Sequence, residues 1–422
     1  MLQLLEAALL VLLLSYGTAR GGQLWSSSSG DRSYSLDGSL KWTTLLSRAS
    51  ADTATYPERW SSASLWRGRL ALSAQPRPWL RAEVAYEQRA RTVTEGAGAA
   101  GGEAILVADI RAPYRLAQIE SPLVEVGRTF SYRHELDRMV ATLRAGRSEV
   151  KVGRQALGWG RGLYFSAIDL FAPFTPLEAD REWRRGIDAV RVTSPVGDLV
   201  ALEAVAATDE SLETSALAAR LQGYAGNTDV ELIAGRRRED WVVGVAGSSP
   251  IGQAEVHLEA AVFLTPESHP DGSPLGRDDA TAKVVVGGSR SFDIAGELLV
   301  LAEYHYSGFG VTDIGDAQSQ LEDPDRRQRY RWGDTQLLGR HAGAVQMSVG
   351  MAWLTPISVA WVFSPRDGSG VIMPSVSWPA SDNLTLAGTA LIGHGTGTRD
   401  GSLRSEYGAT PTSGLLQISF YY

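Results

Sequence analysis

The sequence contains no cysteine, and this absence removes several classes of function at once. Disulfide scaffolds, zinc knuckles, cysteine nucleophiles and cysteine-linked lipid anchors all need that residue. The chain also lacks an excess of basic residues. Its net charge is -8, so a nucleic-acid partner is not expected. From residue 20 onward no apolar run approaches the ~18 residues that a membrane-spanning helix needs. If the chain crosses a membrane, it does so with strands.

What the sequence does contain is a repeated alternation of apolar and polar residues. In residues 80–88 the apolar side chains alternate with charged ones such as Arg81 and Glu83, a period of two that indicates a β-strand. The same period recurs in 34–46, 66–74, 138–157, 188–207, 215–224, 229–237, 240–248, 253–264, 280–288, 293–306, 341–350, 357–364, 370–378, 383–392 and 414–422. Residues 104–114 and 123–132 either add two strands or form a folded-in segment.

The connections between these segments alternate between short and long. Short ones such as 76–78, 146–148 and 195–198 all fall at one end, and long polar ones fall at the other. Short turns at one end and long external loops at the other are typical of outer-membrane barrels. The pattern predicts an all-β fold, a transmembrane antiparallel barrel over 33–422 with about 18 strands and a range of about 16 to 20.

Aromatic residues support this prediction, because membrane barrels carry aromatic girdles near both strand ends. The candidates for these girdles are Trp42, Trp66, Trp79, Tyr86, Trp241, Tyr304, Tyr306 and Tyr422. The last strand places Phe420 and Tyr422 on one face and ends in an aromatic residue. It resembles the terminal strand that the bacterial barrel-assembly machinery recognises, although members of that class mostly end in Phe.

The N-terminus predicts export. Residues 2–16 are apolar over about 15 residues, too few for a comfortable membrane span, and Gly17-Thr18-Ala19 supplies the small residues of a cleavage site. We expect a signal peptide over 1–19, cleaved after Ala19, and an N-terminal periplasmic segment over 20–32. No Lys or Arg precedes the apolar core and Glu6 lies within it, so either the true start lies upstream or the signal is weak. A buried N-terminal helix is the alternative.

Residues 151–192 carry the most distinctive pattern. Its characteristic residues include Gly153-Arg154-Gln155, Trp159-Gly160, Pro173, Pro176 and Asp188-Ala189. The segment is similar to one found in porin-like, largely uncharacterised outer-membrane barrels of Gram-negative bacteria. Two prolines stiffen it and several Phe residues provide apolar anchors. A loop over 158–187 is therefore expected to fold into the barrel.

The charges of this loop admit two roles. They either set a mixed-sign field across a constriction, or pair with one another and with the wall and so fix the loop. The candidates for both roles are Arg161, Asp169, Asp180, Arg181, Glu182, Arg184, Arg185 and Asp188. Arg81, Glu83, Arg154 and Arg191 are the candidates for lumen-facing wall positions.

Catalytic motifs are not evident, and we expect no enzyme, no cofactor and no metal site. Residues 96–102 are Gly-rich but lack the Lys of a phosphate-binding loop, and 311–325 lack the spacing of a known calcium loop. A barrel of about 18 strands can leave an aqueous lumen. The chain is therefore expected to be a porin-like channel for passive diffusion of small hydrophilic solutes, surrounded by outer-membrane lipid. The alternative is a plugged, non-conducting docking barrel of an envelope complex, closed by 116–137 and 158–187; monomer and homo-oligomer both fit.

Overall fold

The computed structural model describes residues 23–49, 52, 55–94, 113–116, 120–127, 129–178, 180–266, 279–294, 297–331, 333–334, 336–351 and 354–422. The predicted signal peptide over 1–19, the Gly-rich loop over 96–102 and all but the last residues of 104–114 lie outside these ranges.

Strands account for most of the described chain. In chain order they are β1 (Trp25–Ser29), β2 (Arg32–Arg48), β3 (Trp60–Arg77), β4 (Leu80–Val93), β5 (Glu120–Val126), β6 (Phe130–Ala145), β7 (Ser148–Ala156), β8 (Gly186–Pro195), β9 (Val200–Ala207), β10 (Ala216–Ala225), β11 (Thr228–Arg237), β12 (Asp240–Ile251), β13 (Ala254–Leu264), β14 (Ala280–Phe292), β15 (Leu298–Ser307), β16 (His341–Met351), β17 (Leu354–Phe363), β18 (Gly370–Ser381), β19 (Leu384–His394) and β20 (Thr412–Tyr421).

In the described ranges, helices occur only in the connection between β15 and β16. A 3-10 turn over Ile314–Asp316 leads into α1 (Ala317–Glu322) and α2 (Pro324–Arg331), so the Asp-rich segment of the sequence belongs to this short helical region. None of the helices in the described ranges has the length and apolarity that crossing a bilayer would require.

The strands form one closed antiparallel barrel. Each strand of the ring pairs with its neighbours in sequence, and β20 pairs with β2 along Ser39–Arg48 and closes the ring. β1 pairs only with β2 and β5 only with β6, so neither is a member of the ring, which leaves 18 strands. The predicted barrel of about 18 strands is confirmed.

The two additional strands lengthen the barrel wall at opposite ends. β1 pairs with the first residues of β2, beyond the point where β20 ends, and β5 pairs with the first residues of β6, beyond the point where β7 ends. Of the predicted segment 123–132, the first part belongs to β5 and the last part to β6. Residues 120–126 and 130–137 are thus wall, which corrects the expectation that 116–137 as a whole would plug the lumen.

One end of the barrel carries the short turns and the other the long loops, with a single exception. β11 and β12 are joined at the long-loop end by residues 238–239 alone. This tight connection is made with Arg238 at φ 57°, the left-handed region that a two-residue hairpin turn requires. The sequence pattern had indicated the short turns on the opposite end only.

The two faces of the wall differ in chemistry. On β3, Leu70 and Leu72 are about half exposed on the outer face, whereas Arg67 and Arg69 are buried on the inner face. A lipid-facing Lys or Arg near the bilayer midplane would cost about 2–4 kcal/mol, which explains why the charges are directed inward.

Exposed aromatic side chains mark both ends of the outer face. Trp60, Trp241 and Trp361 lie near the long loops, and Trp378 lies near the short turns. Trp42 and Trp66 do not belong to either group: they are cross-strand partners well inside β2 and β3, where their rings stack at 5.4 Å. The prediction that these two residues lie near strand ends is therefore wrong.

Candidate functional site

The connection between β7 and β8, described over 157–178 and 180–185, is folded into the lumen. The sequence predicted an in-folded loop over 158–187, of which residues 186 and 187 belong to β8 instead. The loop's apolar side chains Leu157, Trp159, Phe165, Ile168 and Phe171 are at most 2% exposed. The ring of Trp159 meets that of Phe171 edge to face at 5.0 Å, and Phe165 stacks on His305 of β15 at 5.1 Å. These contacts give the loop an apolar core of its own inside an otherwise polar barrel. We call residues 157–185 the lumen loop.

Two buried glutamates of the wall bind the backbone of the lumen loop. The carboxylate of Glu259 on β13 accepts hydrogen bonds from the backbone N–H of Gly162 at 3.0 Å and of Ala167 at 2.7 Å, and from the Ser166 hydroxyl at 2.9 Å. Glu303 on β15 accepts from the N–H of Leu163 and Tyr164 at 2.5 and 2.9 Å. A buried N–H without an acceptor is costly, so these carboxylates let irregular backbone lie inside the barrel.

Two further glutamates hold the start of the loop. Glu203 on β9 accepts a hydrogen bond from the indole N–H of Trp159 at 2.7 Å, and Glu231 on β11 lies 2.5 Å from the guanidinium of Arg161. Arg161 also lies 2.8 Å from the carboxylate of Asp229. The predicted candidate Arg161 is therefore bound to the wall rather than directed into open lumen.

The end of the lumen loop is bound by cations on the opposite side of the barrel. Lys41 on β2 contacts the carboxylates of Asp180 at 3.0 Å and Glu182 at 2.5 Å, and Arg67 on β3 lies 3.4 Å from Asp180. Burial would raise the pKa of Asp180, but Arg67 and Lys41 outweigh it, so its pKa lies below the usual value. The Lys41 ammonium also sits over the ring of Trp183 at 4.1 Å.

Asp180 and Glu182 differ in exposure. The Asp180 side chain is 12% exposed, whereas that of Glu182 is 38% exposed and accepts a hydrogen bond from the hydroxyl of Tyr421 at 2.7 Å. Of the two carboxylates, Glu182 is the more exposed to solvent.

The predicted loop charges Asp169, Arg181 and Arg184 form bonds within the loop. Arg184 pairs with Asp169, and burial nevertheless raises the pKa of that carboxyl above its usual value. Arg181 donates to the backbone carbonyls of Thr175 at 2.9 Å and Pro176 at 2.7 Å, and burial lowers its pKa. Burial likewise lowers the pKa of Arg185. These contacts stabilise the turn that contains Pro173 and Pro176.

Asp188 and Arg154 form a pair in the wall itself. The guanidinium of Arg154 binds the carboxylate of Asp188 at 2.8 and 2.9 Å, and it donates to the Leu136 carbonyl at 2.9 Å. Arg154 is the cross-strand partner of Met139, which is 52% exposed on the outer face. Its register is therefore the outer one, which corrects the expected lumen-facing position.

The other wall candidates have the predicted inward register. Arg191 pairs with Glu203 of the neighbouring strand, and Arg81 and Glu83 share the inner face of β4 with buried Glu87. Of these three, Arg81 is exposed and lies next to the short turn that precedes β4.

Sequence reasoning missed a segment that covers the lumen loop. Tyr114 and Arg115 are each 1% exposed: the Tyr114 ring meets that of Phe171 at 6.2 Å, and Arg115 binds the Glu135 carboxylate at 2.5 Å and the Gly186 carbonyl at 3.0 Å. It also missed the wall glutamates at 203, 231, 259 and 303. The available signal was that every second strand from β9 to β15 carries Glu at an inward position.

One part of the barrel interior is uncharged. Among the described side chains, β16 to β20 present only neutral groups to the lumen, which we call the uncharged wall. Toward the short turns its side chains are half-buried and mostly carry hydroxyl or amide groups: Gln346, Ser348, Ser358, Met373, Ser375, Ser377, Thr385, Thr389 and Gln417. Toward the long loops the wall is apolar, and Val362, Val371 and Leu391 are buried in one cluster with Tyr407.

The fold matches solved barrels. Pseudomonas aeruginosa OccK9 (OpdG) has a TM-score of 0.53 at 12% identity, with 92% of this chain and 97% of that chain covered. Acinetobacter baumannii OccAB1 has a TM-score of 0.52 at 10% identity over 91% and 96%. A BenF-like porin from Pseudomonas fluorescens Pf-5 has 0.50 at 10% identity over 92% and 98%. No protein-family profile matches the chain, and neither does any curated protein sequence.

Proposed function

We propose that this chain is an outer-membrane, porin-like channel through which small hydrophilic solutes diffuse passively. The observation that carries the proposal is the uncharged wall, whose hydroxyl and amide side chains face the lumen and are only half-buried. A barrel of about 18 strands is wide enough to keep an aqueous path beside an in-folded loop. Neutral donors and acceptors along that path replace part of a polar solute's hydration without trapping it. The porin among the structural neighbours supports this reading.

We assign the lumen loop to the constriction of this path, with two groups of residues. Asp169, Asp180, Arg161 and Arg184 fix the loop, because each is engaged in a buried or half-buried ion pair. Glu182 lies at the edge of the path, where its exposed carboxylate would favour cations. If replacing Asp180 and Glu182 together by Asn and Gln left ion selectivity unchanged, these carboxylates would have no role in selecting ions.

The surroundings follow from the same proposal. Outer-membrane lipid would cover the exposed apolar face, and the barrel-assembly machinery would read the strand that carries Phe420 and Tyr422. Cleavage of residues 1–19 stays a prediction. No reaction and no cofactor are assigned to the chain.

The plugged, non-conducting barrel is the second candidate, and one observation favours it. At the long-loop end the wall residues Val362, Val371 and Leu391 are buried together with Tyr407 of the loop between β19 and β20. The hydroxyl of Tyr56, from the loop between β2 and β3, donates to the carbonyl of Ala409 in that same loop. These loops cover part of the barrel mouth.

Conductance decides between the two candidates. The chain, refolded in detergent and inserted in a planar bilayer under a salt gradient, should give stable stepwise openings. Ser375→Asp, on the uncharged wall, should then raise cation selectivity, whereas the uncharged Ser375→Asn should not. If the barrel is folded, as its heat-modifiable migration would show, but never conducts, the plugged barrel replaces the channel as the proposed function. If the two Ser375 variants conduct with the same reversal potential, the uncharged wall does not line the path of the permeating ions.

A further inference from the structure

A cavity of about 190 Å³ lies among three loops at the long-loop end of the barrel. It is formed by the connections β15 to β16, β17 to β18 and β19 to β20, away from the lumen loop. Arg340, His341, Arg366 and Arg404 bring four nitrogen-bearing side chains to its surface. We call it the rim cavity.

Acidic side chains also line the rim cavity, but backbone and hydroxyl groups occupy their oxygens. Asp313 accepts from the N–H of Gly315 at 2.9 Å. Asp367 accepts from the N–H and hydroxyl of Ser369 at 2.9 and 2.7 Å and from the N–H of Glu406 at 2.8 Å. Glu406 in turn accepts from the N–H of Leu338 and Gly339 at 2.8 and 2.7 Å. Asp367 and Glu406 therefore hold the three loops together.

Two of the cations that line the rim cavity, Arg366 and Arg404, are not engaged by the carboxylates that the structure describes. Arg366 and Arg404 are exposed, and within the described part of the chain neither forms an ion pair. Burial raises the pKa of Glu406 to about 7, so near neutral pH its negative charge is partly titrated away. Arg366 and Arg404 thus present exposed guanidinium groups to the cavity, and guanidinium groups suit phosphate oxygens, which they can bind with two parallel hydrogen bonds.

The location of the cavity indicates the source of the phosphate. His341 has the outer register of β16, and its Nδ1 lies 2.7 Å from the hydroxyl of Tyr304, which is 40% exposed on the outer face. Trp361, on the outer face of the neighbouring β17, is 38% exposed at the same end of the barrel. Exposed aromatic rings at a strand end mark the level of lipid headgroups.

We propose that the rim cavity binds the phosphate group of a membrane lipid at the long-loop side, with Arg366 and Arg404 as its principal ligands. This proposal rests on the membrane location given above but not on conduction, so a barrel that never conducts would leave it intact. The volume admits one phosphate headgroup, while the acyl chains would lie on the apolar outer face.

The test uses the full chain in detergent, titrated with phosphorylated lipid A, with dephosphorylated lipid A and with inorganic phosphate, and read by native mass spectrometry. We expect the phosphorylated lipid to bind, the dephosphorylated lipid to bind at least tenfold more weakly, and Arg366→Gln/Arg404→Gln to remove the difference. Arg399→Gln is the matched control, since Arg399 lies on the same loop as Arg404, is 82% exposed and does not line the cavity.

Three results would overturn the proposal. Equal binding of the two lipid forms would show that the protein does not recognise the phosphate group. Unchanged binding in the double variant would place the lipid elsewhere. Binding of inorganic phosphate as tight as that of the lipid, and lost in the double variant, would assign the cavity to a soluble anion. Heat modifiability of each variant shows that the barrel is folded, and Arg366→Lys/Arg404→Lys keeps the charge if the Gln variant does not fold.

Discussion

The ammonium nitrogen of Lys41 lies 3.0 Å from the carboxylate of Asp180, joining the wall of the barrel to the far end of the lumen loop. Both side chains are nearly buried, and Arg67 approaches the same carboxylate. Glu182 binds the same ammonium group from a more exposed position. One lysine thus meets a carboxylate that fixes the loop and a second that faces solvent.

We expect Asp180→Asn and Glu182→Gln to have different effects. Removing the Asp180 charge takes one carboxylate partner from the two buried cations Lys41 and Arg67, and breaking a buried pair costs about 3–5 kcal/mol. The lumen loop should then become sensitive to protease, with little change in ion preference. Glu182→Gln should shift the reversal potential toward anions, because it removes an exposed negative charge beside Lys41. Single-channel recordings and limited proteolysis on both variants make the comparison, and a selectivity change confined to Asp180→Asn would contradict it.

Glu259→Gln should release the first half of the lumen loop. The carboxylate binds Gly162, Ala167 and Ser166, and hydrogen bonds to a charged acceptor contribute about 1.5–3 kcal/mol each. We expect faster hydrogen exchange over residues 160–168 and noisier, larger openings. Glu255→Gln is the matched control, because Glu255 lies on the inner face of the same strand but is exposed. Equal exchange in the two variants would argue that the loop is held by its apolar contacts instead.

The Glu406 carboxyl should make the long loops pH-dependent near neutrality. Burial raises its pKa to about 7, despite the N–H groups of Leu338 and Gly339, while an unfolded Glu titrates near pH 4.3. The folded form binds this proton more tightly, so the stability that the group contributes is full below about pH 4.3 and is lost as pH rises through about 7. Hydrogen exchange of residues 395–411, corrected for intrinsic rates, should accelerate between pH 5 and pH 8. The acceleration should disappear in Glu406→Gln; if it persists there, another group is responsible.

Tyr422 should matter for assembly more than for the stability of the finished barrel. Its backbone exchanges two hydrogen bonds with Gly38, at 2.8 and 3.2 Å, and these do not depend on the side chain. Tyr422→Phe should assemble normally in cells, and Tyr422→Ser should reduce the heat-modifiable fraction in outer membranes. Refolding of both variants in detergent, without assembly machinery, should be alike. A refolding defect of Tyr422→Ser equal to its defect in cells would assign the ring to stability rather than to recognition.

The strands could be predicted because their signal is local. On β3, Arg67, Arg69, Leu70 and Leu72 show the two faces within a few residues of sequence, and a lipid-facing charge is costly everywhere along the wall. Arg154 was misassigned although Val152, two residues earlier, is exposed on the outer face and shares its phase. Its charge suggested the lumen, but a charge can lie on the outer register when a neighbour such as Asp188 neutralises it.

The attachment of the lumen loop could not be predicted from sequence. Pro173, Pro176 and the Phe residues indicated that the loop is stiff and folds inward, but its partners are main-chain N–H groups that every residue except proline carries. Glu303 binds the N–H of Tyr164 across 139 positions of sequence, and no side-chain pattern marks that choice. Contacts of this kind follow only from the three-dimensional path of the chain.

The pairing of β2 with β20 determines when the barrel can close. These strands stand at the two ends of the ring in sequence, yet they match along ten residue pairs from Ser39 with Tyr421 to Arg48 with Thr412. The remaining junctions of the ring join strands that follow one another in the chain, apart from β4 and β6, between which β5 lies. Those hairpins can therefore form early at a small cost in chain entropy. The seam between β2 and β20 must wait for all of them, and until then the two strands present unpaired edges. The state most prone to aggregation is therefore the nearly complete sheet before closure. Protection of the edges of β2 and β20 in that state governs the yield of folded barrel.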